Sequence, residues 1–203
     1  MDLYLIRHGE SFRSLPEYYN YERQVMDPPL TEKGIEQAKL LSQRCKKLQL
    51  DVILTSDLSR AQQTANILSE LCRSKVICDK ALREIDMGDL YLKSWDLFPD
   101  TYSKWISHDE DIAYPNGENG EAVWQRCKII IQPLIKKYNK VAIVCHGGTI
   151  RSIICGLLNI SQEKRFYLGL PPENCSISII KYNEKDEKYY LHVFNDHSHI
   201  LNY

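Results

Sequence analysis

Leu3-Tyr4-Leu5-Ile6-Arg7-His8-Gly9-Glu10 decides the reading of this 203-residue chain. Four apolar residues are too few for a helix. They run straight into a charged pair and a glycine, the pattern of a short buried strand entering a loop. The same grammar returns at Val141-Ala142-Ile143-Val144-Cys145-His146-Gly147-Gly148. Two strands that each deliver a His-Gly pair can bring two imidazoles to one edge of a sheet. The neighbouring arginines point to phosphate as the ligand, because a guanidinium matches phosphate oxygens with paired N–H donors.

Outward from these two stretches, strands alternate with helical patterns. Val52-Ile53-Leu54 and Val76-Ile77-Cys78 read as further strands. Thr31 reads as an N-cap before a helix whose buried face carries Ile35, Ala38, Leu41, Cys45 and Leu48. Leu58, Ala61, Ala65, Leu68 and Leu71 mark a second helix. A long helix is predicted over 118–136, with Pro133 ending or kinking it near its last turn. Another is predicted over 149–158. Two strands at 175–180 and 189–194 flank the polar turn Asn183-Glu184-Lys185-Asp186. From Ile85 to Asn119 the periodicity is weak, and this part reads as an irregular cap over the site. The alternation predicts an α/β fold, a three-layer α/β/α sandwich with a mainly parallel central sheet. The length fits a single domain over 1–203, with a cap or insertion around 86–119.

Composition narrows the partners. Lys and Arg number 26 against 27 Asp and Glu, a net charge of -1. That balance argues against nucleic acid or an anionic membrane as the main partner and leaves a small phosphate ester open. No stretch is long and apolar enough to span a bilayer, and Met1 to Arg7 does not read as a secretory signal. The seven cysteines are an odd count without a Cys-x-x-Cys pair, and several fall in apolar-periodic segments. They read as reduced core residues of a cytoplasmic protein. His197-Ser198-His199 has no identifiable third ligand, so neither a metal nor another cofactor is expected. Trp95, Trp105 and Trp124 read as packing residues of the cap and the long helix. Oligomeric state is not readable.

In open α/β sheets ligands bind beyond the carboxyl ends of the strands. Arg7-His8 ends the first strand, Ser56 and Arg60 follow the second, Glu84 follows the third, and His146-Gly147 ends the central one. A neutral imidazole can attack phosphorus, and nearby guanidinium groups favour that form. The same arginines clamp phosphate oxygens. Gly9 would let backbone approach the ligand. His146 can donate to a phosphoryl oxygen. Glu84 can protonate the leaving alcohol, helped by the bound phosphate beside it. Chemistry of this kind needs positioning and charge, not a metal.

These residues give the chain its resemblance to the histidine phosphatase superfamily, the branch that also holds cofactor-dependent phosphoglycerate mutases. Leu5 to Ser11 resembles the family's nucleophile motif, and Leu30 to Ala38 its first helix. Ser56 to Ala65 resembles the segment of its second phosphate arginine, Leu82 to Gly88 the acid segment, and Val144 to Arg151 the segment of the second histidine. The resemblance implies a phosphohistidine on His8, proton donation by Glu84, and a phosphate held by Arg7, Arg60 and His146. Candidate substrate contacts are Arg7, Gly9, Ser14, Arg60, Glu84, His146 and Gly147.

Mutases of the family carry Trp-Asn where this chain has Arg13 and Ser14, and tend to carry Asn where it has Gly148. Phe194 to Ile200 resembles a phosphatase ending. Hydrolysis of a phosphomonoester is therefore expected, as in the α-ribazole and broad-specificity phosphatases, with phosphoglycerate mutase as the alternative. Asp89-Leu90-Tyr91-Leu92-Lys93 departs from the family's Gly-x-Trp-Glu-Gly, which weakens any transfer of substrate identity.

Two rivals stand beside this. Cys145 to Arg151-Ser152 also fits the Cys-x5-Arg-Ser pattern of cysteine phosphatases, but leaves Arg7, His8, Arg60 and Glu84 without a role. A non-catalytic phosphate-binding domain is the other; the presence of all five candidate catalytic residues argues against it. Glu118 reads as a first-turn helix acid and a possible neighbour of the site. Arg83 and Arg151 read either as support for the phosphate or as ordinary ion pairs.

Overall fold

The computed structural model describes every residue except 170, 202 and 203. A six-stranded sheet lies at its centre. Its strands are β1 (Asp2–Arg7), β4 (Val52–Thr55), β5 (Lys75–Cys78), β6 (Lys140–Cys145), β7 (Ile177–Asn183) and β8 (Lys188–Asp196), in the order β5-β4-β6-β1-β7-β8. The first four run parallel, while β7 is antiparallel to β1 and β8 to β7. A two-residue pair, β2 (Tyr19–Asn20) and β3 (Val25–Met26), forms a separate small hairpin. The register of β1 on β6 sets Arg7 beside Cys145, so both His-Gly pairs leave the same edge.

Side chains alternate across the sheet, and that alternation builds the two covering layers. Leu3, Leu5, Val141 and Ile143 face α4 (Gly120–Ile131) and α5 (Gly147–Leu157), packing with Val123, Trp124, Ile150 and Ile154. Tyr4, Ile6, Ala142 and Val144 face α1 (Glu32–Cys45) and α2 (Ser59–Cys72), packing with Ala38, Leu41, Ala61 and Leu68. This is the α/β/α sandwich the alternation predicts. Trp124 meets α5 at Gly156, where an added Cβ would come within 2.1 Å of its ring. No helix among the described residues is long and apolar enough to cross a membrane.

Several boundaries differ from the sequence reading, each for a local reason. The long helix is α-helical only over Gly120–Ile131 and tightens to a 3₁₀ turn at Gln132–Leu134, where Pro133 has no N–H to give. Its N-cap is Asn119, whose side chain accepts from the Ala122 N–H at 2.9 Å, so Glu118 lies before the helix rather than in its first turn. Helix α5 begins at Gly147 rather than 149, with His146 itself as N-cap residue. The first tail strand begins at Ile177 rather than 175, because Cys175 adopts a left-handed φ of 55°. The 86–119 segment holds an unpredicted helix, α3 (Pro99–Ser107), opened by a proline at its start. Trp95, Trp105 and Tyr114 pack together within this segment, with Trp105 and Tyr114 ring centroids 5.6 Å apart.

Candidate active site

His8 leaves the tip of β1 into a buried position, 5% exposed. Its Nδ1 lies 2.7 Å from the Gly9 carbonyl oxygen. A carbonyl only accepts, so Nδ1 carries the ring proton and Nε2 keeps its lone pair. Nε2 receives the Nε–H of Arg60 at 3.2 Å. Burial lowers the His8 pKa well below its ordinary value, and the charges of Arg60 and Arg7 push the same way. The ring is held neutral, with its lone pair turned toward a guanidinium.

His146, at the tip of β6, is fully buried with its ring centroid 5.1 Å from that of His8. Burial, then Arg60, lowers its pKa well below the ordinary value. Neither ring nitrogen has a hydrogen-bond partner among the described residues. Two unpaired buried nitrogens are costly in a protein interior, which marks this ring as one built to meet a ligand.

The arginines come from two elements. Arg60 lies in the first turn of α2 and donates from Nη1 to the Met26 carbonyl of β3 at 3.2 Å. Arg7 ends β1 and donates from Nη1 to the Pro172 carbonyl, while its buried Nε has no partner among the described residues. Burial lowers both guanidinium pKa values, and Glu84 opposes the shift at each. Glu84 sits on the N-terminus of α5. Its Oε1 accepts from Thr149 N and Ile85 N at 3.0 Å each, and its Oε2 from Gly148 N at 3.2 Å. A carboxylate suits the positive end of a helix. A Cβ at position 148 would stand 2.7 Å from Glu84 Oε1, so glycine leaves this pose undisturbed and any other residue shifts the carboxylate.

Arg7, His8, Arg60, Glu84, His146 and Gly147 therefore gather at one edge of the sheet. The Cβ position of Gly147 is 3.7 Å from Arg7 Nε. Two candidates stand apart. The Gly9 N–H is taken by Thr64 Oγ1 at 3.1 Å, and its missing Cβ makes room for the Gly34 carbonyl of α1, 2.5 Å from where a Cβ would lie. Glycine is needed there for packing on α1 rather than for ligand approach. Ser14 is exposed, and its side chain makes no hydrogen bond among the described residues, so nothing ties it to the buried group. Cys145 is a fully buried core residue on the α4–α5 face, and burial pushes its thiol well above the ordinary value. A thiolate nucleophile needs the opposite environment.

Most of a supporting ring escapes the sequence reading, which names Glu118 as a possible neighbour and Arg83 as phosphate support or an ion pair; the structure makes Arg83 an ion pair. Asp27 accepts from the Ser59 N–H at 2.6 Å, capping α2 from a distant loop and so placing Arg60. Asp57 holds Arg83 through two bonds and also binds Arg23. Glu118 holds Arg126 through two bonds of 2.8 Å, and Arg126 Nη2 donates to the Glu84 carbonyl at 3.2 Å. Thr64 joins Gly9 to the Arg60 carbonyl. The contacts of Asp27 with Ser59, Asp57 with Arg83 and Thr64 with Gly9 are long-range encounters with no local spacing to announce them. His197 Nδ1 meets the Asn195 carbonyl and His199 Nδ1 meets Arg44, while the buried His199 Nε2 has no partner among the described residues.

Known proteins resemble this chain over nearly its whole length. A probable phosphoglycerate mutase, GpmB, of Enterobacter sp. (strain 638) is 33% identical over 193 residues, covering 91% of this chain and 86% of that one. The solved structure of a mycobacterial glucosyl-3-phosphoglycerate phosphatase with inorganic phosphate superposes with a TM-score of 0.82 at 25% identity, covering 98% and 99% of the two chains. A putative alpha-ribazole-5'-P phosphatase from Escherichia coli K-12 gives 0.79 at 27% identity, covering 97% of each. The sequence profile of the histidine phosphatase superfamily (branch 1) matches residues 3–197, a span that contains every residue gathered at this edge, and the chain belongs to that superfamily.

Proposed function

We propose that the protein hydrolyses phosphomonoesters through a phosphohistidine on His8. The observation that carries this is the hydrogen-bonding of His8: proton on Nδ1, lone pair on Nε2, two unpaired-acid arginines beside it. On substrate binding, phosphate oxygens take the Arg60 Nε–H away from Nε2 and free the lone pair. Nε2 then attacks phosphorus and the P–O ester bond breaks. The ester oxygen takes a proton from Glu84 and leaves as the alcohol. Arg7, Arg60 and His146 hold the three remaining oxygens through both steps. Water next attacks phosphorus, forming a P–O bond as the P–Nε2 bond breaks, and gives its proton to Glu84. Inorganic phosphate leaves, and Nε2 regains its electron pair. No cofactor enters the cycle.

Hydrolysis is favoured over mutation by the phosphatases among the solved neighbours and by Gly148, where mutases tend to have asparagine. The mutase reading rests on the GpmB relatives. One assay separates the two: incubation with 3-phosphoglycerate and with phenyl phosphate, following free phosphate and 2-phosphoglycerate. Hydrolysis predicts phosphate release from phenyl phosphate. His8→Ala abolishes it, while Cys145→Ser keeps most of it. Isomer formation outpacing phosphate release assigns the mutase activity instead, and loss of turnover only in Cys145→Ser assigns the cysteine. Phosphate binding without any turnover assigns a binding domain.

A further inference from the structure

Glu84 stands on a stretch with no hydrogen-bond ladder of its own. Residues 84–87 belong to neither helix nor strand, so their main-chain groups take partners from elsewhere. The carboxylate of Glu84 is held by the start of α5. Its main chain is held by a different element, α4.

Arg126 of α4 reaches across this stretch. Its Nη1 donates to the Ala81 carbonyl at 2.6 Å and its Nη2 to the Glu84 carbonyl at 3.2 Å. Nε and Nη2 also meet the two carboxylate oxygens of Glu118 at 2.8 Å each. Glu118 Oε2 accepts in turn from the Asp86 N–H at 2.9 Å, and the Glu118 N–H donates to the Asp86 carbonyl at 2.9 Å. One ion pair thereby fixes the main chain on both sides of the acid. Its base is firm, because Val123 and Cys127 on the same helix are fully buried, and Cys127 Sγ donates to the same Ala81 carbonyl at 3.1 Å. Solvent-exposed ion pairs contribute little. This one is paired fork to fork, with side chains only 21% and 23% exposed, the arrangement in which an arginine gives geometric specificity.

The carboxylate itself is held unevenly. Oε1 accepts from Ile85 N and Thr149 N and lies 3.2 Å from Thr149 Oγ1, whereas Oε2 meets Gly148 N alone among the described residues. Oε2 is the freer oxygen, and where it can deliver a proton depends on where the main chain of residue 84 is held.

We infer that Arg126 and Glu118 are positioning residues for the proton donor, setting where Glu84 presents its proton to the leaving group. This rests on the hydrolase reading and assigns the pair to one event in it. As the Nε2–P bond of His8 forms and the P–O ester bond breaks, the departing oxygen takes the Glu84 proton. A leaving group that departs as a stable anion does not need that proton.

The test compares 4-nitrophenyl phosphate, whose leaving group is such an anion, with 4-nitrobenzyl phosphate, which is similar in size but leaves as an alkoxide. The steps up to departure of the alcohol set kcat/KM, so the shared hydrolysis of the phosphohistidine drops out. In Arg126→Gln, kcat/KM should fall about a hundredfold for the benzyl ester, the cost of a donor displaced by roughly an ångström, and less than about tenfold for the phenyl ester. Arg126→Lys keeps the charge without the fork and should restore part of the lost ratio. Equal losses on both esters overturn the inference, since a merely structural role lowers the two alike. Should Arg126→Gln fail to fold, hydrogen exchange on the unaltered protein decides. The Asp86 N–H, outside any helix or strand, should exchange as slowly as the amides of α4, and fast exchange removes the clamp. Turnover of neither ester by the unaltered protein removes the hydrolase reading and this inference with it, whereas equal losses leave that reading intact.

Discussion

His8 and His146 show what the site takes from stability. Both rings are neutral because they are buried beside arginines. In the unfolded chain a histidine protonates near about pH 6.5. The folded value lies lower, so above that pH the neutral rings carry no penalty. As pH falls below it the unfolded state takes up protons that the folded state refuses, and stability is lost until the folded value is passed. Urea unfolding midpoints should therefore fall between about pH 7 and pH 5. His146→Phe keeps an aromatic ring but removes two buried unpaired nitrogens. It should raise stability by about 1 kcal/mol, flatten part of that pH dependence and abolish turnover. A destabilised His146→Phe would mean the nitrogens have partners in solution. At this scale the sequence was informative about reacting groups and silent about their support. His8 and His146 follow strand ends, Arg60 lies in a helix's first turn and Glu84 follows β5 after a short connection, positions that short-range patterns mark. Asp27 and Thr64 act across long sequence separations, and no periodicity signals that.

At the scale of elements, one contact sets the nucleophile loop against α1. The Glu10 carbonyl lies 1.9 Å from where a Cβ on Gly34 would stand, and Gly9 in turn needs the space beside the Gly34 carbonyl. Thr31 fixes the start of that helix by accepting from the Gly34 N–H at 3.0 Å. Gly34→Ala must therefore push α1 away from residues 9 and 10. The expected cost is about 1–3 kcal/mol in denaturant unfolding, together with a fall in kcat as His8 shifts. Full activity at unchanged stability would show that the loop adapts freely. The Thr31 cap, the β1 and β6 strands and the apolar stripe of α1 were legible because each rests on local pattern. The start of α5 was not: Gly147-Gly148 reads as a loop, yet Glu84 supplies the anion that lets the helix begin there. Helix α3 was missed for the opposite reason, since none of its residues is buried and it offers no core stripe to read.

For the whole molecule, the site stands where elements from distant parts of the sequence meet. It brings together the tips of β1 and β6, the first turns of α2 and α5, and Glu84, whose backbone is tied to the Glu118–Arg126 pair beside the cap. The central parallel strands could be expected from alternation alone, whereas the antiparallel β7–β8 pair extends the β1 edge by a connection that strand patterns do not specify. An anion in the cradle would satisfy His146 and the Arg7 Nε at once, and it binds only the folded chain, since these groups are scattered in the unfolded one. Orthophosphate should accordingly raise Tm. At about one hundred times its Kd, mass action gives about 2.7 kcal/mol, or roughly 5–10 °C for a chain of this size. Arg60→Ala should remove most of that shift, because it deletes the cation that touches His8, whereas Arg44→Ala, which deletes a surface pair with Asp196, should leave it intact. Equal shifts in the two variants would mean that phosphate stabilises by general ionic strength and that the gathered histidines and arginines do not form its site.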